Sequence, residues 1–122
     1  MTTSSDIWPT ELRVRDGGGT LRIAFDNGQA FDLPAEFLRV MSPSAEVQGH
    51  APGERKTVPG KRGVVITDVV PTGNYAVRLV FSDSHSTGIF TWTHLATLGA
   101  EHDARWNGYL AELAAKGFRR DP

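Results

Sequence analysis

The chain contains no cysteine among its 122 residues. That one absence excludes disulfides, thiolate metal sites, cysteine-ligated iron–sulfur clusters and cysteine nucleophiles. No apolar run approaches the roughly 20 residues that a membrane-spanning helix needs. Neither charge is in excess: 13 Lys+Arg stand against 14 Asp+Glu, a net charge of -1. That balance supplies no global attraction to DNA, RNA or an anionic membrane. Internal repeats and interdomain linkers are missing as well. Met1–Asp6 is polar and acidic with no apolar segment, so no secretory signal is expected there. What is present is the balance of a globular chain, 39% hydrophobic and 22% charged. The length suits one core. The expectation is a soluble, cytoplasmic protein with a disordered tail over residues 1–7 and a single domain over 8–122.

Alternation marks the strands. Leu12 and Val14 alternate with Arg13 and Arg15, and Leu21, Ile23 and Phe25 with Arg22 and Ala24. Asp16-Gly17-Gly18-Gly19 joins these two, because three glycines cost too much backbone entropy inside an element. It has no Gly-Lys-Ser/Thr and opens no helix, so it is not a phosphate loop. Asp26-Asn27-Gly28 predicts a two-residue hairpin turn into a third strand carrying Phe31 and Leu33. A short helix starts at Pro34, carries Phe37, Leu38 and Met41, and ends at Ser42-Pro43. Gln48–Gly63 reads as a long exposed loop with a basic tip, Arg55, Lys56, Lys61 and Arg62 against Glu54.

Val64–Val70, Tyr75–Phe81 and Thr87–Phe90 are the remaining strands, the middle one apolar enough on both faces to be central. Thr91 or Thr93 caps a helix through Leu95 and Leu98 that Gly99 closes. Ala100–Lys116 is the clearest helix, with Trp106, Tyr109, Leu110 and Leu113 on one face and Gly117 as its C-cap. Arg119 and Arg120 follow where cations suit the helix dipole. The fold class is α+β: a small, mostly antiparallel sheet with short helices and one longer C-terminal helix packed on it.

Candidate chemistry is sparse. His85, in the turn Asp83-Ser84-His85, is either a polar centre whose ring Asp83 orients or a turn residue bonded to backbone. His50, His94 and His102 show no His-Glu-x-x-His spacing with each other or with His85. A Ser/His/Asp triad can be written from Ser42 or Ser44, His85 and Asp83, but no nucleophile elbow accompanies it. The basic loop either meets an acidic partner or is simply solvated. Tyr75, Phe90, Trp92, Trp106 and Tyr109 are core candidates. Trp8 either folds onto a sheet edge or is offered to a partner.

Gly73-Asn74-Tyr75-Ala76-Val77-Arg78-Leu79-Val80-Phe81, followed by Asp83, His85, Gly88-Ile89-Phe90-Thr91-Trp92 and Leu95, resembles the gamma-butyrobetaine hydroxylase-like N-terminal domain. Trp8-Pro9, Leu12, Asp26-Asn27-Gly28 and Leu38-Arg39 fit the same pattern, which runs to about Gly99. The resemblance implies a small bacterial α+β domain of unknown function. It also implies occurrence alone, ahead of 2-oxoglutarate-dependent hydroxylases, or with iron–sulfur carrier ATPases. In the hydroxylases such a domain resembles a zinc module of three cysteines and a histidine. Those positions fall here on Ser42, Ser44, Val47 and His85. Neutral hydroxyls are poor zinc ligands and valine is none, so a degenerate, metal-free site is expected. Hydrogen bonds from Ser42 or Ser44 to His85 are expected in its place.

No iron-binding His-x-Asp…His order is present, since Asp83-Ser84-His85 runs the opposite way. The function expected is therefore a non-enzymatic interaction module without a cofactor. Its protein partner would be an iron–sulfur carrier ATPase or a hydroxylase-like enzyme, by family analogy. Trp8, Arg55, Lys56, Lys61, Arg62, Asp83, His85 and Trp92 are its candidate contacts. The alternative is a small-ligand or metal site around His85, Ser42 and Ser44 with Trp92 as a wall. A homodimer through a sheet edge is compatible with a small open sheet, whose edges have to be managed, but the sequence does not locate that edge.

Overall fold

The computed structural model describes residues 7–49, 53 and 55–122. The expected tail therefore lies outside the described residues except for Ile7, which packs against the core. His50 and Glu54 also lie outside them.

Two three-stranded antiparallel sheets form, each in simple chain order. The first is β1 (Pro9–Arg15), β2 (Thr20–Phe25) and β3 (Ala30–Pro34). The second is β4 (Ile66–Thr72), β5 (Ala76–Phe81) and β6 (Gly88–Thr91). Between them lie α1 (Ala35–Val40) and the single turn α2 (Ala45–Gln48). α3 (Trp92–Ala100) and α4 (His102–Lys116) close the chain. The α+β class holds, with the antiparallel strands divided between two sheets.

Period-2 patterning builds the core. Leu21, Ile23 and Phe25 of β2 are buried, and β5 carries buried Val77, Leu79 and Phe81. Leu33, Phe37, Leu38, Val40, Phe90, Leu95, Leu98, Tyr109 and Leu113 complete one continuous cluster. β5 is indeed central, paired to β4 and β6. Pro71 sits in β4, whose outer edge is unpaired, where a missing N–H costs no ladder bond.

The hairpin at Asp26-Asn27-Gly28 is a three-residue loop rather than the two-residue turn expected. Gly28 N–H donates to Phe25 O at 3.1 Å, Phe25 N–H to Gln29 O at 2.8 Å, and only Gly28 has positive φ (89°). Gly18 in the first turn has φ 97°, and a Cβ there would meet Ile66 O at 2.5 Å. The glycine is thus where the first sheet's turn meets the start of β4.

Gly99 does not end a helix. It lies inside α3, and a Cβ there would overlap the ring of Phe31. Its role is close approach of α3 to β3. α4 starts at His102, not Ala100, and ends at Gly117 in the left-handed conformation (φ 68°). Thr91 is the α3 cap, accepting from His94 N–H at 3.0 Å.

Candidate functional site

Every residue of α1 is buried, including Glu36 and Arg39. A buried helix carrying a carboxylate and a guanidinium must find partners for both. Arg39 Nε donates to Asp83 Oδ2 at 2.7 Å, in the turn between β5 and β6. Lys61 Nζ lies 2.7 Å from the same oxygen. The other carboxylate oxygen of Asp83 accepts the His85 N–H at 3.1 Å. Partial burial pushes the Asp83 carboxyl up, but Lys61, Arg39 and the His85 amide outweigh it and hold it at about 2.

Asp83 therefore does not orient the imidazole, as the sequence suggested; its oxygens are taken by two cations and a backbone amide. The ring is held by other groups. Ser42 Oγ lies 2.9 Å from His85 Nε2, so the segment after α1 does rest on the His85 turn. Glu46 Oε2, from the first turn of α2, lies 2.7 Å from Nδ1, out of line for a directed hydrogen bond. The His85 side chain is 2% exposed. Burial, then the Arg39 charge, pushes its pKa down, against the opposing pull of Glu46 and Asp83. Neutral imidazole with Nε2 accepting from Ser42 fits this arrangement, while the buried Nδ1 faces Glu46 without a directed hydrogen bond.

Ser42 Oγ also accepts the Ser44 N–H at 3.3 Å. Ser44 caps α2, accepting the Glu46 N–H at 3.2 Å, and its hydroxyl pairs with Thr87 Oγ1 at 2.6 Å. Gln48 Nε2 donates to Ser42 O at 2.9 Å. Val47 is buried at 1% exposure. Sequence reasoning missed Glu46, Arg39 and Thr87. The Ser44-Ala45-Glu46 string, a cap followed by an acid in the first turn, was the available signal for Glu46.

Hydroxyl, imidazole and carboxylate stand in the order of a hydrolase triad, with Glu46 as the acid instead of Asp83. Ser42, however, has 0% exposure, so no substrate carbonyl reaches its oxygen. The zinc-module positions give one imidazole and two neutral hydroxyls already bonded to protein groups, plus an isopropyl side chain. That donor set does not fit a zinc ion. Among the described residues no group of three or more His, Cys, Asp or Glu side chains is placed to hold a metal. An open cleft of about 480 Å³ beside α2 is lined by Pro43, Ser44, Ala45, Glu46, Thr87 and Ile89. Trp92 does not wall it; its indole N–H donates to Asn74 O at 2.9 Å and pins the β4–β5 turn. His94 lies against Phe90 and His102 against Phe37.

The basic loop is not a solvated tip. Arg55 Nη1 grips both oxygens of Glu112 in α4, at 2.7 and 2.9 Å, and Thr57 Oγ1 joins them at 2.9 Å. Lys61 serves Asp83, and Arg62 pairs with Asp121. Only Lys56 is exposed without a described side-chain partner, while its N–H donates to Val47 O at 2.7 Å.

Tyr75 is not a core residue: it is 69% exposed, beyond the end of the β5 ladder. Trp8 is 46% exposed, and the two rings lie 6.3 Å apart between centroids, tilted by 34°. Their backbones are pinned. Trp8 N–H donates to Asp26 Oδ1 at 3.2 Å and Trp8 O accepts from Asp26 N–H at 2.9 Å. Tyr75 O accepts from Trp92 N–H at 3.0 Å.

A family model described as gamma-butyrobetaine hydroxylase-like, N-terminal, matches residues 12–96. A protein whose structure was solved in solution by NMR is 46% identical over 93% of this chain and 90% of its own, with a TM-score of 0.81. Another NMR structure is 45% identical over 100% of this chain and 92% of its own, with a TM-score of 0.83. A crystal structure of a protein of unknown function from Acidithiobacillus ferrooxidans, placed in the DUF971 family, is 40% identical. It spans 76% of this chain and 93% of its own, with a TM-score of 0.63. No curated protein matches the chain. No helix among the described residues is long and apolar enough to cross a membrane.

Proposed function

Given that the chain belongs to the gamma-butyrobetaine hydroxylase-like N-terminal family, we propose that it works as a non-enzymatic interaction module docking a protein partner through Trp8 and Tyr75. The exposed, neighbouring aromatic pair carries this reading. Both rings stand in solvent on backbones already fixed by hydrogen bonds, so little freedom is lost when a partner covers them. Pinned aromatics of this kind are what binding hot spots use. The polar centre at His85 supports the same reading from the other side, because Ser42 is fully buried against Nε2 and Asp83 is paired with Arg39 and Lys61.

An iron–sulfur carrier ATPase or a hydroxylase-like enzyme is the partner class that family analogy favours. The test is anaerobic affinity capture of the tagged full-length protein from lysate of its own cells, beside a Trp8→Ser, Tyr75→Ser variant. Recovery of such an enzyme in near-equal amount by the parent, and its loss with the variant, is the expected result. Equal recovery by both proteins refutes the docking face. Recovery of nothing by either moves attention to small ligands of the Ser44–Thr87 cleft. Charge reversal at Lys61 and Arg62 is a poor probe, since it also breaks their pairs with Asp83 and Asp121.

A further inference from the structure

The two sheets leave four edges, on β1, β3, β4 and β6. Sheet edges are normally blunted by proline, charge, a bulge or a covering helix. β1 begins at Pro9, is irregular between Pro9 and Glu11, and carries Arg13 and Arg15. β3 carries Asp32, ends at Pro34 and has α3 against it at Gly99. β4 contains Pro71 and is irregular between Ile66 and Asp68. β6, Gly88-Ile89-Phe90-Thr91, has no proline, no charge and an unbroken register.

The direction of its free groups follows from that register. Trp92 N–H donates to Tyr75 O at 3.0 Å. Antiparallel pairs alternate, so Phe90 and Gly88 exchange bonds with Val77 and Leu79. Ile89 then turns its N–H and C=O to the outer edge, with the Thr91 N–H one step along. The same alternation turns Val69 and Pro71 outward in β4. There Pro71 has no N–H, and the Val69 N–H is taken by Asp68 Oδ1 at 2.9 Å. Ile89 has no such cover: among the described residues nothing outside the ladder bonds to its N–H or C=O. Its side chain is also 46% exposed.

Beside this edge lie a cleft and a charge. The cleft of about 480 Å³ runs from Thr87 and Ile89 to Ser44 and Glu46. The Glu46 side chain is 62% exposed, and its one described partner is His85 Nδ1, without a directed hydrogen bond. A neutral ring leaves that carboxylate charge uncompensated. We propose that β6 is a strand-addition edge for an extended segment of a partner protein carrying a lysine or arginine. The segment's main chain pairs with Ile89 and Thr91, an apolar side chain covers Ile89, and the cation meets Glu46. A second copy pairing β6 to β6 brings a strand with neither lysine nor arginine. The proposal stands on the edge and the cleft, independent of the Trp8–Tyr75 pair.

The probes are three acetylated, amidated pentapeptides, Thr-Lys-Val-Val-Thr, Thr-Val-Lys-Val-Thr and Thr-Val-Val-Lys-Thr, titrated into the intact protein and followed by NMR. Moving the lysine covers the alternative registers. One of them is expected to shift the Ile89 and Thr91 amides saturably and to slow their hydrogen exchange about tenfold. Exchanging its lysine for glutamine, or Glu46→Gln in the protein, should each weaken binding roughly fivefold. The two changes together should cost no more than either alone. Ile89→Pro removes the outward donor without breaking the ladder and should abolish binding. If that variant fails to fold, the exchange rates of the parent decide alone. No saturable shift with any of the three peptides at millimolar concentration overturns the proposal, as does binding that leaves the Ile89 and Thr91 amides unprotected. Full affinity in Glu46→Gln overturns the basic partner. A concentration-dependent dimer of the parent that the peptide dissolves gives the edge to a second copy and also overturns the partner.

Discussion

Replacing Ser42 with alanine tests whether the polar centre is a structural staple. The hydroxyl has two buried partners, His85 Nε2 at 2.9 Å and the Ser44 N–H at 3.3 Å. Alanine leaves an imidazole acceptor and an amide donor without partners, while removing one atom beside Gly88, too little for water to enter. Each buried group left unpaired costs about 1–3 kcal/mol. The long amide contact belongs near the bottom of that range and the imidazole near its middle, so the sum is about 3 kcal/mol. Against a total stability of about 5–15 kcal/mol this is large. It corresponds to a fall in Tm of about 12 °C for a chain of this length. Urea unfolding measures it, with an unchanged slope as the sign that only the native state was altered. A second arm adds His85→Leu. With both partners apolar, the double variant should cost less than the sum of the two singles, because the orphaned acceptor is gone. A loss below about 1 kcal/mol for Ser42→Ala, or simple additivity with His85→Leu, refutes the staple.

Two titrations act in the same direction on acidification. His85 has a folded pKa below its ordinary 6.5, so the unfolded chain takes up the proton first and stability falls as pH drops below about 6.5. Asp83, held at about 2 instead of 3.8, adds stability above 3.8 that fades as pH falls toward 2. The unfolding midpoint should decline in two limbs, and His85→Gln should flatten only the upper one. Gly99→Ala gains about 1 kcal/mol of helix preference but drives a methyl into the Phe31 ring, which costs about 1–3 kcal/mol. A net loss of stability is expected on thermal unfolding, relieved by adding Phe31→Leu. Tyr109 donates to Val58 O at 2.6 Å, so Tyr109→Phe should lower stability by about 1 kcal/mol without changing the far-UV spectrum.

Local signals read correctly from sequence. The alternation in β2 and β5, the Thr91 cap and the Gly117 stop each depend on a few neighbouring residues. So did the contact of Ser42 with His85, which came through the family pattern. The misreadings share a cause, namely partners distant in sequence. Arg55 looked solvated because Glu112 stands 57 positions away, and Arg120 looked like a dipole cation because Glu36 is 84 positions away. Adjacency in the chain makes Asp83 one candidate to orient the His85 ring, whereas two cations claim it and Glu46 approaches the ring instead. Gly99 has the look of a helix stop, and only the position of Phe31 reveals it as a point of close packing. Tyr75 continues the β5 alternation on paper, but the ladder ends at Ala76 and leaves it in solvent.

The chain-order pairing within each sheet bears on how the molecule is assembled. Every strand hydrogen-bonds to its neighbour in sequence, with no crossover in either sheet. Hairpins of that kind form on a timescale of about 1–10 μs. The long-range contacts are those that join one meander to the other, as where Gly18 meets Ile66. Pairing of neighbours within each sheet keeps that part of the topology local, which favours fast folding. It also lets each half emerge and pair on the ribosome before its companion has been made.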